Sequence, residues 1–125
     1  DFQAHTGIRC QVSVEPEDMH LEADISTTVF RIFQETLTNI ARHAHADKIK
    51  VSLTKLYNQI RLSVKDNGVG ISSDDISNSK SYGLMGIRER VTYCGGEVQI
   101  TGRPGRGTTV LVTIPLDERY RHAVP

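Results

Sequence analysis

An excess of charge of one sign is what this sequence most plainly lacks: 15 lysines and arginines balance 15 aspartates and glutamates over 125 residues. A domain that holds duplex nucleic acid or a membrane surface by charge alone needs a net basic face to release counterions, so that class of function is disfavoured and only a local basic patch stays open. Long apolar runs are missing too. No stretch approaches the roughly eighteen residues of a membrane span, and the N-terminus has neither the basic nor the apolar region of a signal peptide. Both absences imply a soluble domain. The 2 cysteines, Cys10 and Cys94, are too few and too far apart for a disulfide framework or a zinc site, which points to a reducing cytoplasm.

What is present suffices for one folded unit. Hydrophobic residues make up 38% and charged residues 24%, and a domain of this length buries about two thirds of its unfolded surface. The chain opens at Asp1 on a short polar segment and reads as a single domain, 1–125, cut from something longer. Residues 1–7 are expected to be the end of a linker and 117–125 a flexible tail.

Ile8, Cys10, Val12 and Val14 alternate with polar residues, the period of a strand with one buried face, and Pro16 ends it. Asp24, Ser26 and Thr27 offer N-caps for a long helix running to about Ala44, with an apolar stripe of Val29, Ile32, Phe33, Leu37, Ile40, Ala41 and Ala44. Ile49, Val51 and Leu53, then a turn at Tyr57-Asn58-Gln59, then Ile60, Leu62 and Val64 predict a β-hairpin. Ile71 to Tyr82 is serine-rich with little to bury, and predicts a mobile loop. Leu84, Ile87 and Val91 set a second helix that stops at Gly95-Gly96, and strands at Val98 to Ile100 and Val110 to Ile114 flank a glycine-rich turn. The order β-α-β-β-loop-α-β-β predicts an α/β two-layer sandwich, its mixed and mostly antiparallel sheet carrying helices on one face.

Several polar residues do not fit a plain core. Glu35, Asn39 and Arg42 share one stripe of the long helix. That stripe is either a solvated flank, with Arg31 and Glu35 as an i,i+4 ion pair, or a site in which Asn39 offers an oxygen to a hard cation, Arg42 or His43 meets phosphate, and Glu35 orients a water or accepts a proton. Counting by two from Ile60 lands on Asp66, which therefore points to the buried face, where an unpaired carboxylate costs several kcal/mol and needs a donor. The alternative is that Asp66 marks the fraying end of the strand or caps the next turn. Asn67-Gly68-Val69-Gly70 follows it directly, and glycines let backbone turn sharply and approach a ligand. The same count from Val110 turns Thr108 inward. Gly83-Leu84-Met85-Gly86 opens the second helix, where free amides and partial positive charge suit a phosphate, although Gly86 could equally pack on the sheet.

Taken together, Glu35 to His43, Asp66 to Gly70, Gly83 to Gly86 and Gly105 to Thr108 resemble the four boxes of the GHKL ATPases. Within that superfamily the chain most resembles the ATP-binding catalytic domain of two-component sensor histidine kinases, particularly those paired with LuxR-type response regulators; Phe33-Gln34-Glu35 and Gly86 to Val91 carry that closer match. The resemblance implies a Bergerat fold that binds ATP with Mg²⁺. Asp66 would accept the adenine amino hydrogen bond with support from Thr108, and Asn39 would be the metal ligand. Arg42 and His43 would lie near the phosphates, while Glu35 is a candidate for assisting phosphoryl transfer. Gly68, Gly70 and Ile71 would shape the pocket, and Gly83, Leu84 and Gly86 the lid hinge and its amides.

The implied activity is that of an ATP-dependent protein histidine kinase. Such a domain donates the γ-phosphoryl group to a histidine on a separate dimerisation and phosphoacceptor domain, with a response regulator downstream. It would contact no nucleic acid directly and reach a membrane only through the full-length protein, from the cytoplasmic side. His5, His20, His45 and His122 are expected to be solvated surface residues rather than acceptors. Two alternatives remain: a serine kinase of the anti-sigma-factor type and a non-catalytic nucleotide-binding module.

Overall fold

Period-two alternation predicts strands in five places, and the computed structural model pairs all five into one sheet. It describes residue 4, residues 6–70 and residues 84–116, the side chain of His43 excepted. In chain order the elements are β1 (Arg9–Glu15), α1 (Ala23–His43), β2 (Lys48–Leu56), β3 (Gln59–Asp66), α2 (Leu84–Tyr93), β4 (Glu97–Gly102) and β5 (Thr108–Pro115). The expectations for the loop Ile71 to Tyr82, for Ile71 and Gly83 as site residues, for His5 and His122, for the tail and for most of 1–7 fall outside the described residues.

The strand order is β1-β2-β3-β5-β4. β1 runs parallel to β2, and the three remaining pairs are antiparallel. Topology explains the difference. The chain between β1 and β2 crosses back as α1, whereas β2 and β3 join through the two residues Tyr57-Asn58, where Tyr57 adopts the positive φ of 51° that so tight a hairpin demands. The inward residues Ile49, Val51, Ile60, Leu62, Val64, Ile100, Val110, Val112 and Ile114 meet Ile25, Val29, Ile32, Leu37 and Ile40 of α1 and Leu84, Ile87 and Val91 of α2. Lys50, Arg61 and Lys65 project from the other, exposed face of the sheet. This is the expected two-layer α/β sandwich, a mixed and mostly antiparallel sheet with helices on one face.

Local expectations are corrected at three places. α1 begins at Ala23 with Glu22 at its cap position and no side-chain capping bond, so Asp24, Ser26 and Thr27 lie inside the helix rather than before it. Asp24 in the first turn still complements the helix dipole, and the earlier start brings Ile25 into the core. β1 is an edge strand that the helices only partly cover: Cys10 is half-buried, but Val12 and Val14 are 59% and 37% exposed, so its buried face ends early. On α1, Ala41 is exposed, and the buried stripe instead takes in Thr36, whose Oγ1 donates to the Ile32 carbonyl at 2.8 Å. The end of α2 follows expectation. Gly96 N–H bonds the Val91 carbonyl and Gly95 N–H the Thr92 carbonyl, both at 2.9 Å, and Gly95 has a φ of 74°, a paired arrangement that satisfies the last carbonyls of the helix.

Candidate functional site

The inward count along β3 ends in a carboxylate, and the structure buries it: Asp66 is 4% exposed and stays in the ladder opposite Ile49. Its Oδ1 accepts the Gly68 N–H at 2.8 Å, so the residue caps the following turn as well as facing inward. Burial pushes the carboxyl above the ordinary aspartate range, against the backbone N–H groups of Gly68 and Thr108, which pull it down. A buried carboxylate with these two backbone bonds has capacity for a further donor.

That donor would enter a pocket lined by Thr36, Asn39, Ile40 and Ala44 from α1 and its end, Asp66 and Gly70 beside β3, Leu84 at the start of α2, and Ile100, Thr108 and Val110 from β4 and β5. Its walls are apolar, and its polar groups are few and convergent, the usual make-up of a small-molecule site. Asn39, Asp66, Gly70, Leu84 and Thr108 are thus brought together. Thr36, Ala44, Ile40, Ile100 and Val110 were not anticipated as lining. Ile100 and Val110 were legible in principle, since strand parity turns them to the same side as Thr108.

The glycines serve chiefly to let backbone meet backbone. A Cβ on Gly68 would run into the carbonyl of Ala44, one on Gly70 (φ 80°) into that of Arg103, and one on Gly107 (φ 86°) into that of Asp66. The loop after β3 is tied down on both sides, by Val69 N–H to Ala44 O at 2.7 Å and Gly105 N–H to Val69 O at 2.6 Å. Asn67 adds a clamp that sequence reading missed. Its Oδ1 accepts from the N–H groups of Asp47 and Lys48, both at 3.1 Å, and its Nδ2 donates to Asp47 Oδ1 at 2.6 Å.

The stripe on α1 divides. Asn39 is half-buried and lines the pocket, whereas Arg42 is exposed and lies outside that lining. Glu35 is also outside it. Its Oε2 accepts from Arg90 Nε of α2 at 3.1 Å, not from Arg31 one turn earlier, the partner in the solvated-flank alternative. With side chains 44% and 31% exposed, this pair adds less than about 1 kcal/mol. Gly86 faces Glu35 as well: a Cβ there would collide with Glu35 Oε1, so the glycine leaves room for that carboxylate. The arrangement carries a cost, because glycine inside a helix is roughly 1 kcal/mol worse than alanine.

Among the described residues no group of three or more histidine, cysteine, aspartate or glutamate side chains could hold a metal by themselves. The Asn39 amide offers the pocket a neutral oxygen from α1. One such oxygen fits Mg²⁺, which binds through one or two protein oxygens and completes its shell with ligand phosphates and water. No described helix is long and apolar enough to cross a membrane.

Known proteins resemble this chain in sequence and fold. Residues 24–118 match the family described as histidine kinase-, DNA gyrase B-, and HSP90-like ATPase. The sensor histidine kinase LiaS of Bacillus subtilis is 37% identical over 100 residues, covering 80% of this chain and 28% of that protein. The oxygen sensor histidine kinase NreB of Staphylococcus carnosus is 32% identical over 117 residues, covering 94% and 34%. The histidine kinase domain of the blue-light activated kinase from Erythrobacter litoralis EL346 superposes with a TM-score of 0.77 at 26% identity, over 95% of this chain and 58% of that one. The catalytic domain of histidine kinase ThkA shares the fold, with a TM-score of 0.78. The chain spans about three tenths of the length of the curated relatives it matches.

Proposed function

The chain belongs to the histidine kinase-, DNA gyrase B-, and HSP90-like ATPase family, and from that premise we propose that it binds Mg²⁺-ATP in the Asp66 pocket as the phosphoryl-donor domain of a two-component sensor histidine kinase. Buried Asp66 carries the reading. A carboxylate at the bottom of an apolar pocket is stable there only with donors around it, and the exocyclic amino group of adenine is one more donor of the right kind. Ile40, Leu84, Ile100 and Val110 supply the apolar walls for the ring, and Thr108 supports Asp66 through its backbone N–H.

The phosphates extend toward Asn39 and the first turn of α2, whose N–H groups have no partner within the helix. Asn39 would hold Mg²⁺ through its amide oxygen, Arg42 further along α1 would contribute positive charge at the phosphate end, and His43 beside it is proposed as a further phosphate-end residue. When bound, the cation neutralises charge on the phosphate oxygens. Transfer breaks the bond from the γ-phosphorus to the β–γ bridging oxygen and forms one to a ring nitrogen of histidine. That histidine sits on a separate dimerisation and phosphoacceptor domain, and a response regulator receives the group afterwards. The domain works on the cytoplasmic side, without direct contact with nucleic acid.

The test is incubation with γ-labelled ATP, first alone and then with a dimerisation domain in trans. Label is expected only on the added domain, as acid-labile phosphohistidine, and lost with Asn39→Ala. Acid-stable phosphoserine, or label on the isolated chain, contradicts the reading.

A further inference from the structure

We propose that the Arg90–Glu35 ion pair is a brace that sets the pocket-facing end of α2 relative to Asn39, making Arg90 and Glu35 positioning residues for the phosphate end of the ligand. The proposal rests on the nucleotide reading of the pocket. Each helix contributes both to the pocket and to the brace, and the residues that matter here are one of each. On α1 these are Asn39 and, one turn earlier and about 6 Å along the axis, Glu35. On α2 they are Leu84 in the pocket wall and Arg90 at the other end of the helix. Leu84, Ile87 and Val91 pack α2 into the core, and the ion pair adds a polar tie to α1 at the far end of the helix.

Stability does not account for the arrangement. The pair is exposed to water, and Gly86 weakens α2 in order to leave space for Glu35 Oε1. Nor is Glu35 short of cations. Arg31 lines the same surface hollow, together with Gln34, Thr38 and Arg90, one turn before Glu35 on α1. A pair with Arg31 would satisfy the charge but join α1 only to itself. The contact with Arg90 instead joins two helices that both reach the pocket.

The experiment is calorimetric titration of the chain with Mg²⁺-ATP and with adenosine, alongside thermal melting. Arg90→Ala is expected to weaken Mg²⁺-ATP about fivefold and leave adenosine unchanged. Arg90→Lys, which keeps the charge but not the guanidinium geometry, should recover part of the loss. Gly86→Ala gives the separating readout: its Cβ displaces the Glu35 carboxylate, so Mg²⁺-ATP affinity falls while the melting temperature rises with the better helix former. A contact that merely holds the fold together would move affinity and melting temperature in the same direction. Unchanged Mg²⁺-ATP affinity in Arg90→Ala, or equal losses for ATP and adenosine, overturns the brace alone. A wild-type chain that binds neither ligand overturns the pocket reading and the brace with it.

Discussion

Asp66 and Asn39 line one pocket, yet the first is held by the sheet and the second by the flank of a helix, and the two surroundings differ in kind. Asp66 sits in a β-ladder, accepts backbone N–H bonds and is hemmed in by close backbone contacts at Gly68 and Gly107. Asn39 is half-buried beside exposed Arg42, and the nearest interhelical contact on its stripe is a wet ion pair. A rigid, dry end suits recognition of one invariant ring, whereas a wetter end on two helices suits phosphates that change in number and charge during a reaction.

The largest expected effect comes from the rigid end. Asp66→Ala removes a hydrogen bond to a charged acceptor and leaves the adenine amino group unpaired, a loss of about 1.5 to 3 kcal/mol shared equally by adenosine, ADP and ATP. Calorimetry across the three ligands checks that equality. Gly68→Ala should act on the fold itself. Its Cβ meets the Ala44 carbonyl, and backbone on both sides cannot yield, so the protein should lose more than about 1 kcal/mol in chemical denaturation.

At the softer end, Asn39→Ala should cost Mg²⁺-ATP about 1 kcal/mol and spare adenosine, with the Mg²⁺ dependence of ATP binding flattened. Equal losses for both ligands would erase the distinction between the two ends.

Acid should separate the ends more gently. The Asp66 carboxyl is raised by burial, so the folded state binds more protons than the unfolded state between the ordinary aspartate range and the raised folded value. The stabilising contribution of its neutral form is therefore fully present below that range and lost as pH rises through the folded value. Adenine binding needs the carboxylate and runs the opposite way, weakening as pH falls through the same window. Melting and adenosine affinity measured over a pH series, with Asp66→Asn as the control that lacks the group, should show the opposed trends in the wild type and neither in the variant.

How much of this was legible depended on whether a signal was local. Asp66 and Thr108 could be read from strand parity, because a period of two leaves no choice of face. The stop of α2 could be read from Gly95-Gly96, because few residues but glycine accept that φ. The start of α1 could not: three good capping residues lie near it, and helical packing of Ile25 overrode them all. Arg90 as the partner of Glu35 was out of reach, since the two are 55 positions apart and Arg31 offered an equally good local partner. The duties of Gly68 and Gly86 were hidden for the same reason, because the groups their missing side chains avoid, Ala44 and Glu35, belong to a distant part of the chain.

The most direct test of the central claim, that Asp66 reads adenine, is calorimetric titration of Asp66→Asn with adenosine. The asparagine keeps the shape and an oxygen for the Gly68 N–H, so the domain should stay folded and melt no lower than wild type. Adenosine affinity should nonetheless fall by about tenfold or more, with the charged acceptor gone. Wild-type affinity in a folded Asp66→Asn protein would contradict the account.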